Sequence, residues 1–289
     1  MSYSPTHCPD LKCQGRVFIK KGFYVVRRIN QKFRKFQCKT CNRYFSSRTF
    51  KADYRHKKMD LNPIFARLLS EGNSLRGIGR ILGLTYHNTY KKFLWFKRLV
   101  EEHQKSLRFS AEEIQFDELE TIHHTKCKPL NLILVLNEKY QLISAKVAEM
   151  PAKGRLAEFS RKKYGPRKNE QKEKLHEAFT EVLARLKIKP LRVKSDAHPV
   201  YRKIVETYFS GCEYQQFVQK KKKDKMRERM HEKINKKQFD PIFAINHKCA
   251  VLRDRIKRLV RRNWCTTKKV ANLQLHLDIF ISIQAGMKI

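Results

Sequence analysis

The chain has 289 residues, with 65 Lys+Arg against 27 Asp+Glu, a formal net charge of +38. That length suffices for a buried core, and an apolar fraction of 41 % rich in aromatic and β-branched residues excludes a disordered chain. The apolar runs "LNLILVLN" and "LDIFISI" fall far short of the ~18 residues of a spanning helix. No leader-like segment opens the chain, so the charge points to a cytoplasmic protein with a polyphosphate partner and no membrane association.

Of eight cysteines, four are paired near the start, in "CPDLKC" (Cys8, Cys13) and "CKTC" (Cys38, Cys41). Two such turns can converge four thiolates on one tetrahedral Zn²⁺, and four protein ligands leave no open position, so the metal is expected to be structural. Between them "RVFIKKGFYVVRRI" and "KFRKFQ" read as short strands joined through Gly22 and Asn30. A sheet this small has little core, so the metal supplies much of the stability of a zinc ribbon over 1–50.

Residues 51–107 break into three helices. Asn62 and Pro63 open the first, Ser74 caps the second, Gly83 permits a tight turn and Thr85 caps the third. This is the helix-turn-helix pattern. Asn88 is the candidate base reader, Lys91 and Lys92 are candidate phosphate contacts, and Phe93, Leu94, Phe96 and Leu99 are the expected core side.

Over 108–289, "IQFDELET" gathers Asp117, Glu118 and Glu120 on a strand, a concentration of acid unusual in so basic a chain. Two further strands follow around a turn near Asn137, then a helix over 168–188. A fourth strand ends on Asp196, a helix opens at Pro199 and "CEYQQFV" is a fifth strand. The lysine-rich run 219–237 is too polar to pack. In "INHKCAVLRDRIKRLVRR", Ile245, Cys249, Leu252, Ile256 and Leu259 form one apolar face of a basic helix. The fold class expected is α+β multidomain: zinc ribbon, helix-turn-helix bundle, and a ribonuclease H-like mixed α/β domain.

"FDELET", "VKSDAHPVY" and "LRDRIKRLVRRNWCTTKKV" resemble blocks of bacterial transposases related to insertion sequence 1, and the order of the three domains is similar too. The resemblance implies a metal-dependent enzyme that binds the element's ends in double-stranded DNA and cuts and rejoins strands, as a homo-oligomer on DNA. It implies that Asp117 and Asp196 hold Mg²⁺ or Mn²⁺. The third position, a glutamate in the closest relatives of insertion sequence 1, is Asn246 here, as in related families. Glu118 and His247 are second choices for the metal. Arg253, Arg255, Lys257, Arg258, Arg261 and Arg262 are expected to clamp the DNA backbone, together with the run 219–237. The alternatives are a zinc-ribbon and helix-turn-helix regulator, or a decayed transposase that still binds DNA.

Overall fold

A computed structural model describes residues 4–27, 30–50, 54, 56–218, 240–260 and 264–287. Arg261, Arg262 and the run 219–237 lie outside them. The chain is α+β and divides into two compact units, residues 1–65 and 66–288, the boundary falling inside the first long helix.

The first unit is a three-stranded antiparallel sheet of β1 (Phe18–Val26), β2 (Gln31–Cys38) and β3 (Tyr44–Ser46). Gly22, expected between two strands, instead lies inside β1, where its φ of +78° falls at a shift of register between Lys20 and Phe23. Asn30, with φ +44°, makes the turn to β2. A small core cluster joins Phe36, Phe45, Cys8 and Cys38, with Cys13, Phe18 and Phe50 against it.

Helix α1 (Asn62–Ser70) spans the boundary between the two units, and α2 (Leu75–Ile81) and α3 (Tyr86–Ser106) follow in the second unit. Ser74 Oγ accepts from Gly77 N–H and Thr85 Oγ1 from Asn88 N–H, so both expected caps satisfy first-turn donors that the helices leave unpaired. Gly83 turns between them at φ +61°. Phe93 and Phe96 are buried as expected, but Leu94 is 40 % exposed and Thr89, Lys92 and Val100 complete the inner face.

A mixed five-stranded sheet follows, ordered β6-β5-β4-β7-β8. β4 (Glu113–His123), β5 (Thr125–Asn137) and β6 (Leu142–Glu149) form an antiparallel meander. β7 (Arg192–Asp196) and β8 (Glu213–Phe217) add in parallel beside β4. Helices α5 (Gln171–Arg185) and α6 (Pro199–Tyr208) cover one face, where Phe116 meets Phe179 and Tyr201. Helix α7 (Phe243–Arg255) covers the other: Gln115 Oε1 accepts from Ile245 N–H, satisfying an open donor of its first turn. The sequence "LILVL" is apolar at every position because β5 is buried on both faces, with Ile133, Leu134, Val135 and Leu136 fully inaccessible.

Two helices were not expected from the sequence. α4 (Ala157–Tyr164) follows β6, and α8 (Val270–Gln284) packs along the edge strand β6. There Gln274 imitates a ladder partner, accepting from Val147 N–H and donating to Ala145 O. α7 also ends earlier than its apolar spacing suggests. Ile256 and Leu259 are buried, yet they lie beyond Arg255 in non-helical chain.

Candidate functional site

The four sulfurs of Cys8, Cys13, Cys38 and Cys41 lie within 4.8 Å of one another. Cys8 and Cys41 are 3.6 Å apart and Cys13 and Cys38 3.8 Å. A tetrahedral Zn²⁺ with ~2.3 Å bonds requires ~3.8 Å between sulfurs, so the cluster fits the ion, while a disulfide at ~2.05 Å is excluded. Backbone N–H groups of Cys41 and Thr40 pull the Cys38 thiol down to about 6. Burial pushes the Cys8 thiol up to about 12, a cost that a bound cation removes. Gly15 makes the approach possible: a Cβ there would lie 2.6 Å from Cys38 Sγ and 2.7 Å from Thr40 Oγ1. Four cysteines able to hold one structural metal such as zinc are the one such convergent group of three or more His, Cys, Asp and Glu side chains among the described residues.

The carboxylates of the second unit are arranged differently. β4 and β7 run parallel, with Gln115 beside Lys194. Two residues further along each strand stand Asp117 and Asp196, where β7 ends. Asp117 is partly buried, and burial first, then the charges of Asp196 and Glu118, push its carboxyl up to about 7 against the pull of the Glu118 N–H and of Arg253. Asp196 is raised by burial and by Glu118, and its Oδ1 is buried with no hydrogen-bond partner. Among the described residues neither carboxylate has a lysine or arginine ion pair. Two half-buried acids sharing a site and opposing each other's ionisation is the electrostatic state a divalent cation would relieve.

Glu118 faces the other side of the sheet, as strand alternation requires. Gln171 Nε2 donates to both its oxygens (2.8 and 2.7 Å), Asn131 Nδ2 donates to Oε2, and the Tyr201 hydroxyl bonds to it as well. Its carboxylate ties β4 to β5, α5 and α6.

Asn246 lies on α7 two turns before Arg253, whose charge Asp117 feels. Its Nδ2 donates to Asp240 Oδ2 at 2.9 Å. A carboxylate accepts only from the amide nitrogen, so that bond turns the amide oxygen, the atom able to ligate a hard cation, away from Asp240. Cys249, between them on the helix, is a neutral thiol pushed up to about 12 by burial and by Asp117. His247 instead stacks on Phe243 and meets Tyr140 edge-on at the β5–β6 turn.

The expected nucleic-acid contacts divide. Asn88 and Lys91 are exposed near the start of α3. Lys92 is 3 % exposed and lies inside. Arg255 pairs with Glu71, and its carbonyl accepts from Gly72 N–H, so it joins α7 to the α1–α2 loop. Arg253, Lys257 and Arg258 are half-buried. Sequence reasoning missed α4, where Phe159 and Tyr164 are exposed under Lys163 and Lys128. That helix follows the carboxyl end of β6, and the cluster "RKKYGPRK" was its available signal. No protein-family model matches the chain, and no curated protein matches it.

Proposed function

We propose that the chain is a transposase of the insertion sequence 1 type, which binds element ends in double-stranded DNA and cleaves and rejoins strands as a homo-oligomer. The observation that carries this reading is the pair Asp117 and Asp196 on adjacent parallel strands, uncompensated by any basic ion pair among the described residues. The sheet order β6-β5-β4-β7-β8, with acids on the central strand and its parallel neighbour, is the one expected of a ribonuclease H-like domain. The cysteine-bearing sheet and the capped helices α2 and α3 support the zinc ribbon and helix-turn-helix that precede it.

In this reading Asp117, Asp196 and the oxygen of Asn246 hold Mg²⁺ or Mn²⁺. The unpartnered Oδ1 of Asp196 and the raised Asp117 fit that role, and hard oxygen donors suit those ions. The ions, when bound, supply activation of the attacking oxygen and stabilisation of the leaving one. The protein positions the site by fixing Glu118 on the opposite face and by setting Arg253 where it would meet a phosphate.

The test is nicking of DNA carrying the element's ends, with added Mg²⁺ or Mn²⁺. Asp117→Asn and Asp196→Asn each lose cleavage by at least about a hundredfold, while gel-shift binding of the same DNA survives. Cleavage that persists in both variants would remove the assignment.

A further inference from the structure

A cavity of about 560 Å³ opens between the end of α1, the starts of α2 and α3, and the chain after α7. Arg76, Lys257, Arg258 and Lys268 line it, and among the described residues no acid does. Burial lowers the proton affinity of Arg258, whose guanidinium sits 5.8 Å over the Phe93 ring with no carboxylate ion pair among the described residues. A half-buried cation with no anion beside it is partly desolvated, and an incoming phosphate would offset that cost.

His276 supplies an independent observation. It lines the same cavity, is 3 % exposed, and its Nε2 lies 3.2 Å from the Leu69 carbonyl oxygen, which only an N–H can satisfy. Nδ1 therefore carries the lone pair, and it is buried without a partner. Burial and Arg258 hold the ring neutral. An unpartnered acceptor thus belongs to one of the residues that line the cavity.

The rim is aromatic. Tyr86 is 54 % exposed with Arg76 at 5.6 Å from its ring, and the Trp264 indole is fully exposed. Cations for a phosphate, rings for a flat heterocycle and one acceptor for its donor edge describe a nucleotide. We propose that this cavity takes one unstacked nucleotide of a DNA strand. The segment after Trp264 returns to the sheet, where Thr267 bridges to His123 and His123 Nε2 donates to Lys268 O. His123 is six residues past Asp117 on β4, about 20 Å at ~3.3 Å per residue. At ~3.4 Å per phosphate that is roughly six nucleotides of one strand, so a single DNA could occupy both places. The inference rests on the reading of the chain as a DNA-processing enzyme for the identity of that strand.

The experiment uses the zinc-loaded full chain in a Trp95→Phe background, without added magnesium or manganese. The probes are a paired duplex, the same duplex with one unpaired adenosine, and free deoxyadenosine monophosphate. The bulged duplex is expected to quench Trp264 fluorescence and to bind roughly tenfold tighter than the paired one. Trp264→Ala loses that preference and Trp264→Phe keeps most of it; the fully exposed side chain makes misfolding no explanation. Equal affinity for the two duplexes, or a preference that survives Trp264→Ala, overturns the proposal. The monophosphate competing as well as the bulged duplex would make this a free-nucleotide pocket and also overturn it. A chain that binds no DNA overturns both this and the proposed function. Absent nicking with the bulge preference intact overturns only the function.

Discussion

His276 shows how one side chain can report on its surroundings. It is buried against Leu69 and Phe93, and burial first, then the charge of Arg258, hold its imidazole down to about 3 against the pull of the Leu69 carbonyl. The unfolded chain takes up the proton near pH 6.5 and the folded chain does not, so below pH 6.5 the unfolded state binds more protons. Stability from this group is therefore fully present above about pH 6.5 and declines as pH falls towards 3. At ~1.36 kcal/mol per pH unit the loss by about pH 4 is on the order of 3 kcal/mol. Urea midpoints across that window are expected to fall more steeply for the wild type than for His276→Phe; parallel curves would mean the ring protonates in place. Nothing in "LQLHLDIF" signals this, because a histidine amid leucines reads alike whether it touches a carbonyl, a cation or solvent. The strand positions of Asp117 and Asp196 were legible, Asp117 because it sits among other acids in an alternating run and Asp196 because it closes a strand-like run before His198 and Pro199. The role of Glu118 was not, since Gln171 and Asn131 come from distant sequence.

At the scale of elements, legibility followed local chemistry. Ser74 and Thr85 cap as their sequence positions demand, and the spacing of the four cysteines brings their sulfurs together. α7 was overextended because Ile256 and Leu259 keep the helical period while packing from irregular chain, a case of tertiary burial imitating periodicity. α8 was missed because it is apolar around most of its circumference, so no stripe stands out against the background. The same dependence on local chemistry gives a sharp test of the cysteine site. Gly15→Ala places a methyl 2.6 Å from Cys38 Sγ and 2.7 Å from Thr40 Oγ1, so a metal-ligating side chain must shift to make room. Zinc content of the purified full chain is expected to fall from one per chain towards zero, and the site to lose metal to a chelator faster. Unchanged zinc with unchanged release would show that Cys38 shifts freely and that the thiolate geometry is not fixed by this contact.

At the scale of the molecule, helices α2 and α3 belong to the same compact unit as the five-stranded sheet. Gly72 is one junction: its N–H donates to Arg255 O at 2.9 Å, and at φ +75° a Cβ would lie 2.9 Å from Asp254 O. Further along α3, Tyr90 OH accepts from Asn272 Nδ2, Gln104 Nε2 donates to Asp278 O, and the fully buried Phe93 meets His276 edge-on at 6.1 Å. These contacts join α3 and the α1–α2 loop to α7 and α8, which themselves pack on the sheet, so α2 and α3 should not melt apart from it. Phe93→Ala empties the centre of that junction, and a large-to-small change in a packed core costs about 3–5 kcal/mol. If the unit unfolds as one body, hydrogen exchange at the most protected amides of β5, remote in sequence, accelerates by a factor corresponding to that loss. If instead only amides of α2 and α3 accelerate while β5 stays protected, the helices open separately while the sheet that carries Asp117 and Asp196 remains folded.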